Sequence, residues 1–146
     1  MQALPHFYNV NVTGTPTSQL TASSKGLTNL VVDGPSEFGG PGDQWSPETL
    51  MMSAVANCFV LSFKAVSNAS KFPWKSIQCE SEGKLDKVGR AMTFTQITHK
   101  VTLVIGDASE KEKALKLLEK SEAICLVSNS LKSEVTLECD IQIEAL

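Results

Sequence analysis

The side chains of this protein best suited to chemistry are its thiols. Cysteine occurs at Cys58, Cys79, Cys125 and Cys139, with no Cys-x-x-Cys, and His6 and His99 lie near neither each other nor a cysteine in the sequence. These spacings fit no metal-ligand pattern, so neither a zinc site nor a cofactor is expected. In a reducing compartment such thiols are free or redox-active and do not serve as structural crosslinks. A thiolate attacks peroxides and disulfides, and two thiols that meet can cycle between dithiol and disulfide. Cys58 lies in Ser53-Ala54-Val55-Ala56-Asn57-Cys58-Phe59, where small side chains leave room for a partner to approach. The same cysteine also fits a core position as a small hydrophobe. Cys125 opens Cys125-Leu126-Val127-Ser128-Asn129-Ser130. A short helical turn there is expected to bring backbone N–H groups to the sulfur and favour its thiolate, although a purely structural cysteine is equally compatible. Glu48 stands ten positions before Cys58, and taken alone it reads as a first-turn helix acid.

The elements that must position these groups follow from local pattern. Ser46-Pro47-Glu48 is ordered as a helix start, with Ser as N-cap, Pro at the first helical position and an acid facing the positive end of the dipole. That helix is expected to run to about Asn68. Because it is apolar on nearly every face from Leu50 to Phe63, it should lie at the centre of the molecule. Ser53, Asn57 and Ser62 interrupt the apolar window, which favours a core helix over a membrane span. Ahead of it, Phe7 to Thr13, Gln19 to Ser24 and Thr28 to Val32 read as a strand meander with a turn at Lys25-Gly26, followed by a Gly- and Pro-rich loop from Asp33 to Trp45. Ile77 to Val88 and Met92 to Ile105 read as long strands joined at Gly89-Arg90, where Arg90 is a solvated turn residue. An amphipathic helix from Ala108 to Glu122, a short helical stretch around Ser128 to Leu131 and a last strand from Glu134 to Ile143 complete an α+β chain, taken as one domain over residues 1–146. Cys79 and Cys139 fall on strands as core or edge residues. His99 alternates with Ile97 and Val101 and is expected to be a surface or dimer-facing residue and not a base.

Composition narrows the function classes. With 42% hydrophobic and 20% charged residues the chain lies far from the disordered class and should fold. A net charge of −3 and scattered basic residues, of which only Arg90 is an arginine, argue against a nucleic-acid partner. Met1 to Tyr8 contain no basic region followed by an apolar run, so a cytoplasmic location without a membrane association is expected.

The blocks Pro35-Ser36-Glu37-Phe38-Gly39-Gly40, Ser46-Pro47-Glu48-Thr49-Leu50, Ala54 to Cys58 and Cys125-Leu126-Val127-Ser128-Asn129 resemble, in order and spacing, the OsmC/Ohr family of hydroperoxide reductases. The resemblance covers nearly the whole chain. It implies an intertwined homodimer in which antiparallel sheets wrap central helices. It further implies that Cys58 is the peroxidatic nucleophile, Cys125 the resolving thiol and Glu48 a carboxylate that helps orient the site. The substrate class implied is an organic hydroperoxide, with hydrogen peroxide as an alternative oxidant. Regeneration would require a dithiol reductant of lipoyl or thioredoxin type. Phe38, Met51, Met52 and Phe59 are candidates for apolar walls around the peroxide, and Met52 and Phe59 fit the ordinary core at least as well. Family members that reduce organic hydroperoxides carry an arginine in the second strand; that place falls at or beside Leu20, and no arginine precedes Arg90. Lys25 is the nearest cation, in a turn and without the bidentate geometry of a guanidinium. A second function class is therefore a binding protein of the same fold that holds a small apolar or thiol-reactive ligand, and a third is a dimeric scaffold with residual cysteines.

Overall fold

Helix α1 (Pro47–Ala69) begins where the sequence places its cap. In the computed structural model of the chain, which describes residues 1–145, the Thr49 amide donates to Ser46 Oγ at 3.2 Å and the Ser46 amide donates to Thr49 Oγ1 at 2.9 Å. This reciprocal pair has the form of a capping box with threonine in the place usually held by Glu or Gln, and it satisfies two donors that the first turn leaves open.

The chain forms two compact units, Met1–Met51 and Met52–Leu146, whose junction falls within α1. In the first unit β1 (Asn11–Thr13), β2 (Leu20–Ser23) and β3 (Leu30–Val32) form an antiparallel meander, each strand starting one to four residues later than the sequence pattern suggests. The turn between β2 and β3 uses Gly26 at φ +78, in the left-handed region where a Cβ is strained. In the loop that follows, a Cβ on Gly40 would collide with the backbone of Gly34, so this fold of the loop requires glycine there.

In the second unit β4 (Ser76–Val88), β5 (Ala91–Ile105) and β6 (Glu134–Ile143) form a sheet with β5 in the middle. The β4–β5 hairpin turns at Gly89, where φ is +62, and pairs antiparallel throughout, with a register shift at Lys84/Leu85. β6 joins β5 in parallel, a departure from purely antiparallel sheets. Parallel neighbours need a crossover, and here α2 (Lys111–Ala123) and α3 (Leu126–Asn129) supply it.

One face of this sheet is buried by alternation. Val101, Leu103 and Ile105 are buried on β5 and pack with Phe59, Phe63 and Val66 of α1 and Ala114, Leu117 and Leu118 of α2, and Ile97 is buried on the same face. Each fully buried phenylalanine or leucine contributes about 2 kcal/mol of transfer free energy. The sheet offers α1 a single face, so within the chain only a stripe at Val55, Phe59, Phe63 and Val66 is buried, and Leu61 remains 63% exposed. The sequence pattern points to a helix enclosed all round; one three-stranded sheet covers only one side of it. α1 has the length and hydropathy of a membrane-spanning helix, but its buried stripe belongs to this core.

Candidate active site

Two of the three candidate residues, Cys58 and Cys125, are neighbours. Cys58 sits near the middle of α1, one residue before the buried Phe59, and is half-buried; Cys125 is the N-cap residue of α3 and is fully buried. Cys58 is near enough to raise the Cys125 pKa, and both thiols are free. In the chain, α2 ends at its C-cap Ile124, and Cys125 follows at once as the cap of α3.

Burial pushes the Cys125 thiol above its ordinary value, hydrogen bonds from the Ser128 side chain and amide act against this, and the neighbouring Cys58 adds to the rise. The expectation that the α3 turn would favour a Cys125 thiolate is thus corrected. Ser128 does oppose the rise, but desolvation dominates. Cys125 rests as a thiol and must lose its proton when it reacts. α3 also begins two residues earlier than the sequence suggests, because Cys125 itself is the cap.

Glu48 lies in the first turn of α1, ten residues before Cys58 on the same helix, and its Oε2 is buried with no hydrogen-bond partner. Among the proposed apolar walls, Phe59 is fully buried and stacks on the His99 ring with centroids 5.0 Å apart, so it belongs to the core. Met52 fills the space above Gly83, where a Cβ would meet its sulfur and methyl group. Phe38 is 55% exposed. Leu20, where the family arginine is expected, opens β2, and Lys25 occupies the turn after it.

His99 requires a correction. It is fully buried, not at a surface. Residues i and i+2 of a strand share a face, so alternation with Ile97 and Val101 carries His99 into the core alongside them. Its Nδ1 lies 2.6 Å from Ser81 Oγ and 3.7 Å from Cys79 Sγ, and its Nε2 lies 3.2 Å from Glu122 Oε2. That last contact is an ion pair by distance, yet neither Nε2 nor Oε2 makes a well-aligned hydrogen bond, so charge and proximity hold the pair. Burial would depress the His99 pKa, but hydrogen bonds and charge from Cys79 and Glu122 outweigh it and raise the value to about 9. Glu122 Oε1 in turn accepts a hydrogen bond of 2.8 Å from Ser128 Oγ. Sequence reasoning singled out neither Glu122 nor Ser128. The available signal was the inward register of His99, because a histidine on a buried strand face needs polar partners. Among the described residues no group of three His, Cys, Asp or Glu could hold a metal ion.

The family model for OsmC-like proteins matches residues 40–140, a span that contains both thiols, Glu48 and the whole of the buried chain from Cys79 to Ser128. The chain belongs to the OsmC family. Its similarity to peroxiredoxin OsmC of Escherichia coli is 30% identity over 99 residues, covering 66% of this chain and 67% of that protein. It is 29% identical over 144 residues to the uncharacterized protein YmaD of Bacillus subtilis, with 95% of each covered. Among solved structures, an OsmC-like protein of unknown function from Vibrio cholerae superposes with a TM-score of 0.86 at 16% identity, covering 93% of this chain and 100% of the other. At that identity the likeness concerns the fold, which is the α+β fold of OsmC-like proteins.

Proposed function

We propose that this OsmC-family protein is a two-cysteine peroxidase that reduces organic hydroperoxides. The observation that carries this reading is that the half-buried Cys58 and the buried Cys125 are neighbours, both free, on an OsmC framework. The reaction follows from the placement of the thiols. The Cys58 thiolate attacks the distal peroxide oxygen, the O–O bond breaks, the alcohol leaves, and Cys58 becomes a sulfenic acid. Cys125 then forms the S–S bond as the sulfenic oxygen departs as water, before further oxidation can occur. A dithiol of lipoyl or thioredoxin type reopens the disulfide by exchange. Glu48 serves as the supporting carboxylate, and its orphaned buried oxygen fits a group kept for an incoming donor. The protein would act as a homodimer in the cytoplasm.

Supplied with a dithiol, the reduced protein is expected to consume cumene hydroperoxide catalytically, and faster than hydrogen peroxide. Loss of peroxide at the rate of the dithiol alone, together with melting shifts on adding small apolar thiol-reactive compounds, would instead favour the binding-protein reading.

A further inference from the structure

One cluster of reactive side chains takes no part in the proposed reaction. Cys79 and Ser81 lie on the inward face of β4, and His99 faces them from β5, where it is the register partner of Ser81. Cys79 Sγ is 3.7 Å from His99 Nδ1 and 3.6 Å from Ser81 Oγ, and Ser81 Oγ is 2.6 Å from the same Nδ1. On the other side of the ring, Glu122 Oε2 lies 3.2 Å from His99 Nε2, and Phe59 stacks on the ring and holds its plane. A thiol within reach of an imidazole whose far nitrogen faces a carboxylate is the arrangement that activates a nucleophile. Packing alone does not call for the sulfur, since Ser81 and Glu122 already face the two ring nitrogens of this buried histidine. Although burial lowers it, Cys79 and Glu122 raise the His99 pKa to about 9, so the ring carries its proton at neutral pH. When Nδ1–H donates to Ser81 Oγ, the Ser81 proton is left to donate to the sulfur, so both neighbours can serve a thiolate. Cys79 is half-buried while His99 is fully buried, so a small reagent meets the sulfur and not the ring.

We propose that Cys79 is a second reactive thiol, independent of Cys58 and Cys125, which forms mixed disulfides with small disulfides while His99 holds its proton and Glu122 orients His99. The Cys79 sulfur, with the proton on His99, attacks one sulfur of the reagent. The S–S bond of the reagent breaks, and the departing thiolate takes a proton from His99. One thiol and one disulfide are consumed, and one thiol and one mixed disulfide are formed. Few other groups could govern the pH response. From α2 comes Glu122, and from α1 the uncharged Phe59. On β6, Leu137 lies opposite His99, and Cys139 lies across Val101 from Cys79, its thiol pushed up by burial with Glu119 and Cys79 adding to the rise. Lys100 and Glu82 pair at 3.7 Å on the outward face, one residue along from His99 and Ser81.

The test needs no peroxide and does not depend on the two-cysteine reading. Reduced protein is exposed at pH 7 to bis(2-hydroxyethyl) disulfide, quenched with acid at intervals and digested, and the modified fraction of each cysteine is measured by mass. An ordinary thiol is about 3% ionised at pH 7, so full ionisation allows about a thirtyfold gain, part of which the lower nucleophilicity of a stabilised thiolate takes back. Cys79 is therefore expected to react about tenfold faster in wild type than in His99→Gln or Glu122→Gln, and the three rates should converge near pH 10. Cys139 in the same digests is the internal reference. It should react slowly and at one rate in all three proteins, so a substitution that merely loosens the fold is recognised by a change at both cysteines. Equal Cys79 rates at pH 7 in wild type and either variant, once scaled to Cys139, would overturn the proposal. A wild-type Cys79 that stays unmodified until urea is added would overturn it as well.

Discussion

Replacing Cys58 by serine is expected to reduce peroxide consumption to the background of the dithiol alone, the largest effect of any single substitution here. A serine hydroxyl is not ionised near neutral pH and is a far weaker nucleophile toward a peroxide than a thiolate. Cys125→Ser should behave differently. Cys58 remains half-buried beside a small hydroxyl, so the first oxidation proceeds, but the sulfenic acid has no partner. A burst of about one peroxide per chain followed by inactivation is expected, with Cys58 recovered as sulfinic and sulfonic acid in the mass spectrum. Equal, sustained turnover in wild type and Cys125→Ser would show that the buried thiol takes no part.

The second large effect concerns stability. Folding raises the His99 pKa from 6.5 to about 9 through Cys79 and Glu122, against the opposing effect of burial. Below pH 6.5 the folded and unfolded chains both carry the imidazolium, and the stabilisation is fully present. Between 6.5 and 9 the unfolded chain loses this proton and the folded chain keeps it, so stability falls as pH rises. Above 9 the contribution is gone. At 1.36 kcal/mol per pH unit the loss is roughly 3 kcal/mol across that window. Urea unfolding at pH 6.5 and at pH 9 should show it as a lower midpoint at the higher pH with an unchanged slope. In His99→Gln the drop should largely disappear, because glutamine cannot titrate. A wild-type midpoint that is flat over this range would mean that His99 is neutral in the fold and that Glu122 has no cation beside it.

Much of the architecture was legible because local chemistry specifies it. Ser46-Pro47 sets the start of α1, Gly26 and Gly89 set two hairpin turns, and the alternation from Glu134 to Ile143 gives the last strand its full length. Cys58 and Cys125 could be named in advance only through resemblance, since nothing local in either segment says that the two sulfurs meet. What local pattern missed depends on tertiary contact. Leu61 is as apolar as Phe59, yet only Phe59 faces the sheet. The short turn at Cys125 favours a thiolate, but the surrounding core reverses this by desolvation. Glu122 sits at the end of an amphipathic helix among exposed charges, and its role becomes visible only once β5 brings His99 against it. His99 itself could have been placed from its strand register, which assigned it to the inward face with Ile97 and Val101.

The most direct test of the central claim is to treat the fully reduced protein with one equivalent of cumene hydroperoxide, block the remaining thiols, digest it, and map the crosslinked peptides. A single disulfide joining Cys58 to Cys125, with Cys79 and Cys139 recovered as blocked thiols, is the predicted result. Four blocked thiols, or a crosslink that leaves out either Cys58 or Cys125, would contradict it.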